Sequence, residues 1–155
     1  MKKLVLALAV ILIAGLSNAS ANSPVGINKR ATAAFHTEFA HAKNVSWVES
    51  PKYVVAKFSL NNKIMYAYYN PDGSFIGVIR HILTTDLPGE LRNIIKKEYG
   101  SFWVSELFKL DTDQGISYYI RLENGTETLV LNSDGTEGWK TYSMTNTSGK
   151  QPASL

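Results

Sequence analysis

Two short runs carry side chains that could do chemistry. His36-Thr37-Glu38-Phe39-Ala40-His41 sets two imidazoles around a carboxylate, the ingredients of a zinc site with a general base. A zinc-binding helix of that type needs its histidines four residues apart on one face. These are five apart, which at about 100° per residue splays them by roughly 140°, so they read as surface histidines. Asp111-Thr112-Asp113-Gln114-Gly115 begins like a calcium loop, but it lacks a third ligand and the closing glutamate that such a loop requires. A hairpin turn accounts for it better. His81 stands alone at a strand end.

The residue types that are missing narrow the chemistry further. There is no cysteine, which removes thiol nucleophiles and thiolate metal sites. Neither a G-x-S-x-G nucleophile elbow nor a phosphate-binding glycine loop occurs. The chain therefore reads as a protein with no catalytic residue, no cofactor and no metal, and not as an enzyme. Its net charge of +3 includes Lys2 and Lys3; without them 14 basic residues face 13 acidic ones. That balance gives nucleic-acid binding no electrostatic basis. Asn44, Asn124 and Asn146 each open a glycosylation sequon by pattern alone.

What remains is recognition, and the elements that would carry it come in two copies. Asn70-Pro71-Asp72-Gly73-Ser74 returns as Asn132-Ser133-Asp134-Gly135-Thr136, and the segments before each copy correspond, so one supersecondary unit is used twice. In the first copy, apolar or small residues Ala31, Ala34, Phe35, Phe39 and Ala42 fall at helical spacing after an Asn28 N-cap. Strands follow around Val45–Trp47, over Val54–Leu60, Ile64–Tyr69 and Phe75–Ile82, with Asn61-Asn62 as a two-residue hairpin turn. In the second copy Leu87-Pro88 opens a helix with the stripe Leu91, Ile94, Ile95 and Tyr99, and Gly100 stops it. Four strands follow again, over Phe102–Leu110, Ile116–Glu123, Glu127–Leu131 and Gly138–Met144, turning at Asp113-Gln114-Gly115, Asn124-Gly125 and Asp134-Gly135.

The expected fold is α+β: two tandem helix-plus-four-strand repeats, over 28–86 and 87–144 of a single domain at 28–144. They form a mainly antiparallel curved sheet, because short hairpins pair neighbours in chain order. Both helices pack on one face. Residues 145–155 are polar and read as a flexible tail.

Alternation then says what lies on the other face. With Val54, Ala56, Phe58 and Leu60 turned to the helix, Tyr53, Val55, Lys57 and Ser59 point away. In the next strand Met65, Ala67 and Tyr69 turn inward, leaving Ile64, Tyr66 and Tyr68 outward. That strand is apolar on both sides, and a one-residue slip would exchange its faces. In the second copy Tyr118, Ile120 and Leu122 are inward, Tyr119, Arg121 and Glu123 outward. An open face would then present Tyr53, Lys57, Tyr66, Tyr68, Tyr119 and Arg121. Tyrosine and arginine are frequent at the energetic centres of interfaces, although tyrosine also suits strands regardless of function. Trp103 and Trp139 are compatible with either face.

The N-terminus bears on location. Met1-Lys2-Lys3, the apolar run Leu4–Leu16 and Ala19-Ser20-Ala21 form a secretory signal peptide over 1–21. The run is too short for an ordinary membrane span of roughly 20 residues, so no stable membrane anchor remains once it is removed. Exported without cysteine, the protein must be held together by burial instead of disulfides.

These residues resemble the PepSY-like, β-lactamase-inhibitor-like family of small exported bacterial proteins, over roughly Ala31 to Met144. The resemblance rests on Phe39 with Asn44-Val45-Ser46-Trp47, on Ala56-Lys57-Phe58, on Tyr69-Asn70-Pro71-Asp72-Gly73, on Leu87-Pro88, and on Tyr118-Tyr119-Ile120-Arg121-Leu122 with Asp134-Gly135. It implies tandem α/β repeats, a periplasmic or secreted location, and inhibition or regulation of a secreted enzyme. The chain departs from the inhibitor's cysteine-stabilised frame, so no inhibitory residue carries across. The broader implication is a partner in the cell envelope, an unidentified protein or peptide, and no nucleic acid. Two alternatives are a small-ligand carrier with an apolar pocket between helices and sheet, and a self-assembling envelope protein.

Overall fold

In the computed structural model, which describes residues 28–146, the chain builds two helices and eight strands. Helix α1 is Lys29–Glu38, followed by β1 (Lys43–Glu49), β2 (Val54–Leu60), β3 (Lys63–Tyr69) and β4 (Phe75–His81). A 3-10 turn at Thr84–Asp86 leads to α2 (Gly89–Glu98), then β5 (Trp103–Thr112), β6 (Gly115–Glu123), β7 (Glu127–Ser133) and β8 (Lys140–Asn146). The fold is α+β and antiparallel, with strand order following the chain, as the repeat predicts. The expected signal peptide lies outside the described residues. So does most of the expected tail, whose first two residues, Thr145 and Asn146, instead complete β8. Among the described residues no helix is long and apolar enough to cross a membrane. The described chain divides into two compact units, residues 28–80 with Asp111–Gln114, and His81–Leu110 with residues 115–146.

In the first unit α1 starts where its cap dictates. Asn28 Oδ1 accepts from the amides of Arg30 at 2.9 Å and Ala31 at 3.2 Å, satisfying two donors that a helix start leaves free. The helix is shorter than the apolar spacing suggests: Phe39 is its C-cap, donating its N–H to Phe35. His41 thus lies beyond the helix, and the two histidines never share one. Phe35 and Phe39 are buried against Phe58, Ala56, Val54, Ala67 and Tyr69. Ring centroids of 5.3, 5.0 and 4.8 Å link Phe35 to Phe39, Phe35 to Phe58 and Phe39 to Phe58. At positive φ, Asn61 (51°) and Asn62 (60°) form the expected two-residue turn.

In the second unit Pro88 stands at the N-cap of α2, one position earlier than a first-turn proline. The C-cap is Tyr99, whose N–H reaches the Ile95 carbonyl; Gly100 stands just after it, where a stopping glycine is expected, but without a positive φ. Leu91 is buried with Leu87, Leu107, Ile120, Leu122, Leu129 and Leu131, and Trp139 packs against that cluster. The β6–β7 hairpin closes differently from an Asn-Gly two-residue turn. Asn124 Oδ1 accepts from the amides of Thr126 and Glu127, both at 2.9 Å, and neither Asn124 nor Gly125 takes a positive φ. The asparagine thus works through its side chain, spanning three residues.

Candidate binding face

The helix-side core decides the faces of β2 and β3. Val54, Ala56, Phe58, Ala67 and Tyr69 all belong to it, with Met65 packed alongside, so the doubly apolar strand β3 has the expected orientation. Register then sets the opposite side. Val55 pairs with Tyr68 and Lys57 with Tyr66; across β4, Tyr66 faces Ile79 and Tyr68 faces Gly77.

The first unit therefore brings four of the expected residues together. Tyr53 sits just before β2, where its N–H donates to Ser50 Oγ at 3.2 Å, and its ring lies 5.9 Å from that of Tyr68. Lys57 Nζ stands 5.9 Å from the centroid of the Tyr66 ring, within range of a cation–π contact. Exposure departs from the open face that alternation suggests. Lys57 is exposed, Tyr53 and Tyr66 are half-buried, but Tyr68 is only 2% exposed. Burial, followed by the neighbouring Tyr53 and Tyr66 hydroxyls, holds the Tyr68 hydroxyl well above the usual range. Tyr68 stays a neutral packing residue that supports the patch.

In the second unit Tyr119 and Arg121 also lie on the side away from the helix core, between the inward Ile120 and Leu122. Tyr119 is 3% exposed, stacked on Phe108 at 5.2 Å and 12°, and edge-on to Tyr142. Burial raises its hydroxyl pKa, Tyr142 adds to the rise, and a hydrogen bond with Asn132 opposes it. Arg121 lies between two carboxylates, with Nε 4.0 Å from Glu106 Oε2 and Nη1 3.9 Å from Glu123 Oε1. Its Nε is buried and has no hydrogen bond among the described residues. Here the correction is the same as for Tyr68: Tyr119 is packed, and the groups at the surface are Arg121 and its acidic partners.

Sequence reasoning missed Glu106, Phe108 and Tyr142. Alternation along β5, from Glu106 to Phe108, was the signal that could have found the first two. The two tryptophans separate clearly. Trp139 is helix-side, its Nε1 donating to the Leu91 carbonyl at 3.0 Å, whereas Trp103 is 55% exposed.

The run that begins like a calcium loop is a turn, as its sequence suggests. Asp111–Gly115 forms the tip joining β5 to β6, where the Gln114 amide donates to Thr112 Oγ1 at 3.2 Å and Gly115 has φ 126°. Among the described residues no three His, Asp or Glu side chains gather as metal ligands would.

No protein-family model matches the chain, and no curated protein does. Solved structures match its fold. A DUF2874 family protein from Bacteroides uniformis superposes with a TM-score of 0.67 at 15% identity, over 79% of this chain and 91% of that one. A BLIP-like protein from Bacteroides fragilis gives 0.68 at 11% identity, over 85% and 94%. A conjecturally periplasmic protein from Bacteroides eggerthii gives 0.66 at 13%, over 81% and 89%. The chain thus has a BLIP-like fold. The PepSY part of the sequence resemblance draws no support from these structures.

Proposed function

We propose that the protein is a non-enzymatic binding module of the bacterial periplasm that recognises a protein or peptide through the sheet side turned away from its helices. The observation that carries this reading is the chemistry of that side in the first unit. Lys57 and Tyr66, paired across β2 and β3, offer a cation and a half-buried aromatic with a polar end, held on a floor of Tyr68 and Val55. Such groups combine contact area with hydrogen bonding and recur at interface centres. The BLIP-like and conjecturally periplasmic structural neighbours favour the same class and location. Inhibition of a secreted enzyme is the finer form of the proposal.

A small-ligand carrier fits less well. In the first unit the space between α1 and the strands is filled by the mutually touching rings of Phe35, Phe39 and Phe58, where a carrier would need room.

The test is cross-linked capture from the envelope fraction, with the parent and the Lys57→Ala/Tyr66→Ala variant as baits. Tyr68 is left intact because it is core. A discrete partner held by the parent and lost by the variant, with both melting alike, supports the face. Equal capture by both baits, or no partner for either, refutes it.

A further inference from the structure

Among the described residues of the second unit, nothing pairs with the edge of β5 over its first residues. The Ile82 amide donates to the Leu107 carbonyl at 3.1 Å, and at that point the upstream chain departs. Leu83 turns its N–H to Asp86 Oδ2 at 3.0 Å, and Thr84–Asp86 coil into the 3-10 turn. Strand β5, however, begins back at Trp103. Successive residues of a strand direct their main-chain groups to alternate edges. Ser105 and Trp103 therefore share the direction of Leu107 and present N–H and C=O groups to the gap.

That gap is a groove of about 330 Å³ whose walls include His81, Leu83, Thr84, Val104 and Glu106. Seven large apolar side chains are exposed among the described residues; two of them, Leu83 at 70% and Val104 at 38%, line this groove, and Trp103 at 55% precedes Val104 in the strand. Beside them Glu106 and Glu123 share the single guanidinium of Arg121, which leaves one carboxylate charge in excess. A free strand edge, exposed apolar side chains and surplus negative charge together define an occupant.

We infer that this groove takes an extended segment of the partner as an added strand, its apolar side chains set against Leu83 and Val104 and a lysine or arginine facing Glu106 and Glu123. The inference rests on the binding-module reading and deepens it by giving the partner's form. Main-chain hydrogen bonds to Ser105 and Trp103 supply affinity, and the apolar and acidic walls supply choice. At about 3.3 Å per residue, an occupant of roughly four residues matches the bare stretch.

The probe is a random heptapeptide library displayed on phage and panned against the purified protein. Enriched peptides are expected to combine alternating apolar residues with a lysine or arginine and to slow exchange of the Ser105 amide. Ser105→Pro should weaken their binding about tenfold. Proline there removes an N–H that faces the groove, away from the β5–β6 ladder, a position where proline is tolerated. Ser105→Ala controls for the lost hydroxyl bond to Glu123 Oε1, 2.8 Å in the parent, and should bind as the parent does. If Ser105→Pro unfolds, Leu83→Ser on an exposed side chain replaces it and should weaken binding at least threefold. No enrichment, or peptides indifferent to both substitutions, overturns the groove. Peptides indifferent to both but lost with Tyr66→Ala overturn the groove while leaving the binding face standing.

Discussion

The two Asp-Gly turns of the repeat share their aspartate hydrogen bonds and left-handed glycine and differ in what they touch. In each, the aspartate Oδ1 accepts from the backbone N–H and the side-chain hydroxyl of the residue two places on, at 2.9 and 2.7 Å for Asp72–Ser74 and again for Asp134–Thr136. In each the glycine is left-handed, with φ 86° at Gly73 and 90° at Gly135. Surroundings separate them. The first turn is set into the start of α1: Asn28 Nδ2 donates to the Pro71 carbonyl at 2.6 Å. A Cβ on Gly73 would lie 2.6 Å from Arg30 Cβ and 2.8 Å from the Ala31 amide nitrogen. A Cβ on Gly135 would meet only the Tyr118 ring, at 3.3 Å. The second unit ties strand to helix farther along instead, through Trp139 and Leu91. The same aspartate and glycine can therefore make a joint in one copy and a mere reversal in the other.

The sharpest way to break that contrast is alanine at each glycine. Both variants incur the cost of a left-handed alanine, about 1–2 kcal/mol. Only Gly73→Ala must also push apart the helix start, two backbone-proximal atoms that cannot swing away, and it should lose about 3 kcal/mol or more in urea denaturation. Gly135→Ala should stay near the lower figure, since an aromatic ring can shift a few tenths of an ångström. Equal losses would mean that the first turn is not a joint.

Next in size is the second unit's own tie. Trp139→Phe removes the indole donor to Leu91 and part of the packing on the α2 core, and should cost about 2 kcal/mol. Trp103→Phe, at an exposed ring, should change stability by less than about 0.5 kcal/mol. Thermal or urea unfolding of the pair reads the difference directly.

How much of this was legible beforehand follows from what each signal encodes. Asn28 as a cap and Asn61-Asn62 as a tight turn were readable because a single residue type satisfies a local need, a free amide or a positive φ. Alternation correctly gave the side of Tyr68 and Tyr119, since period two is a local property of a strand. It could not give their burial, which depends on non-local neighbours such as Phe108 and Tyr142. The break in the ladder at Ile82 was equally hidden. The sequence suggests a strand through Ile82, and only the meeting of Leu83 with Asp86 shows the chain leaving β5 there. Trp139 and Trp103, alike by composition, needed a partner at a sequence distance of 48 residues to be told apart.

A smaller difference between the copies lies inside their cores. Tyr69 is fully buried in the first unit, and among the described residues its hydroxyl has no hydrogen-bond partner; the repeat puts Leu131 at the equivalent place, also fully buried. Burial, and then the charge of Glu38, push that hydroxyl above its usual range, so it stays neutral. Removing it should make the two cores more alike. Tyr69→Phe is expected to hold or gain about 1 kcal/mol of stability, because an unsatisfied buried polar atom costs roughly that much. A loss of stability would reveal a partner for the hydroxyl.

The smallest effect tests the half of the contrast that claims sameness. The Ser74 hydroxyl and amide hold the Asp72 carboxyl below the usual carboxylate range, and the Thr136 amide and hydroxyl do the same for Asp134. A carboxylate whose pKa is depressed on folding adds stability above its unfolded value of about 3.9. That contribution fades as pH falls through the lower folded value. Asp72→Asn and Asp134→Asn keep an oxygen acceptor for the turn but no longer titrate. Each should therefore flatten the acid limb of the stability-versus-pH curve below about pH 4, and by similar amounts. The charges nearby, Arg30 at the first turn and Lys140 at the second, have the same sign and rank below the Ser74 and Thr136 hydrogen bonds respectively. A strong asymmetry between the two variants would show that docking on α1 reaches into the turn's own chemistry. Equal flattening, set beside unequal alanine losses at Gly73 and Gly135, would place the difference between the copies wholly in what surrounds the turn.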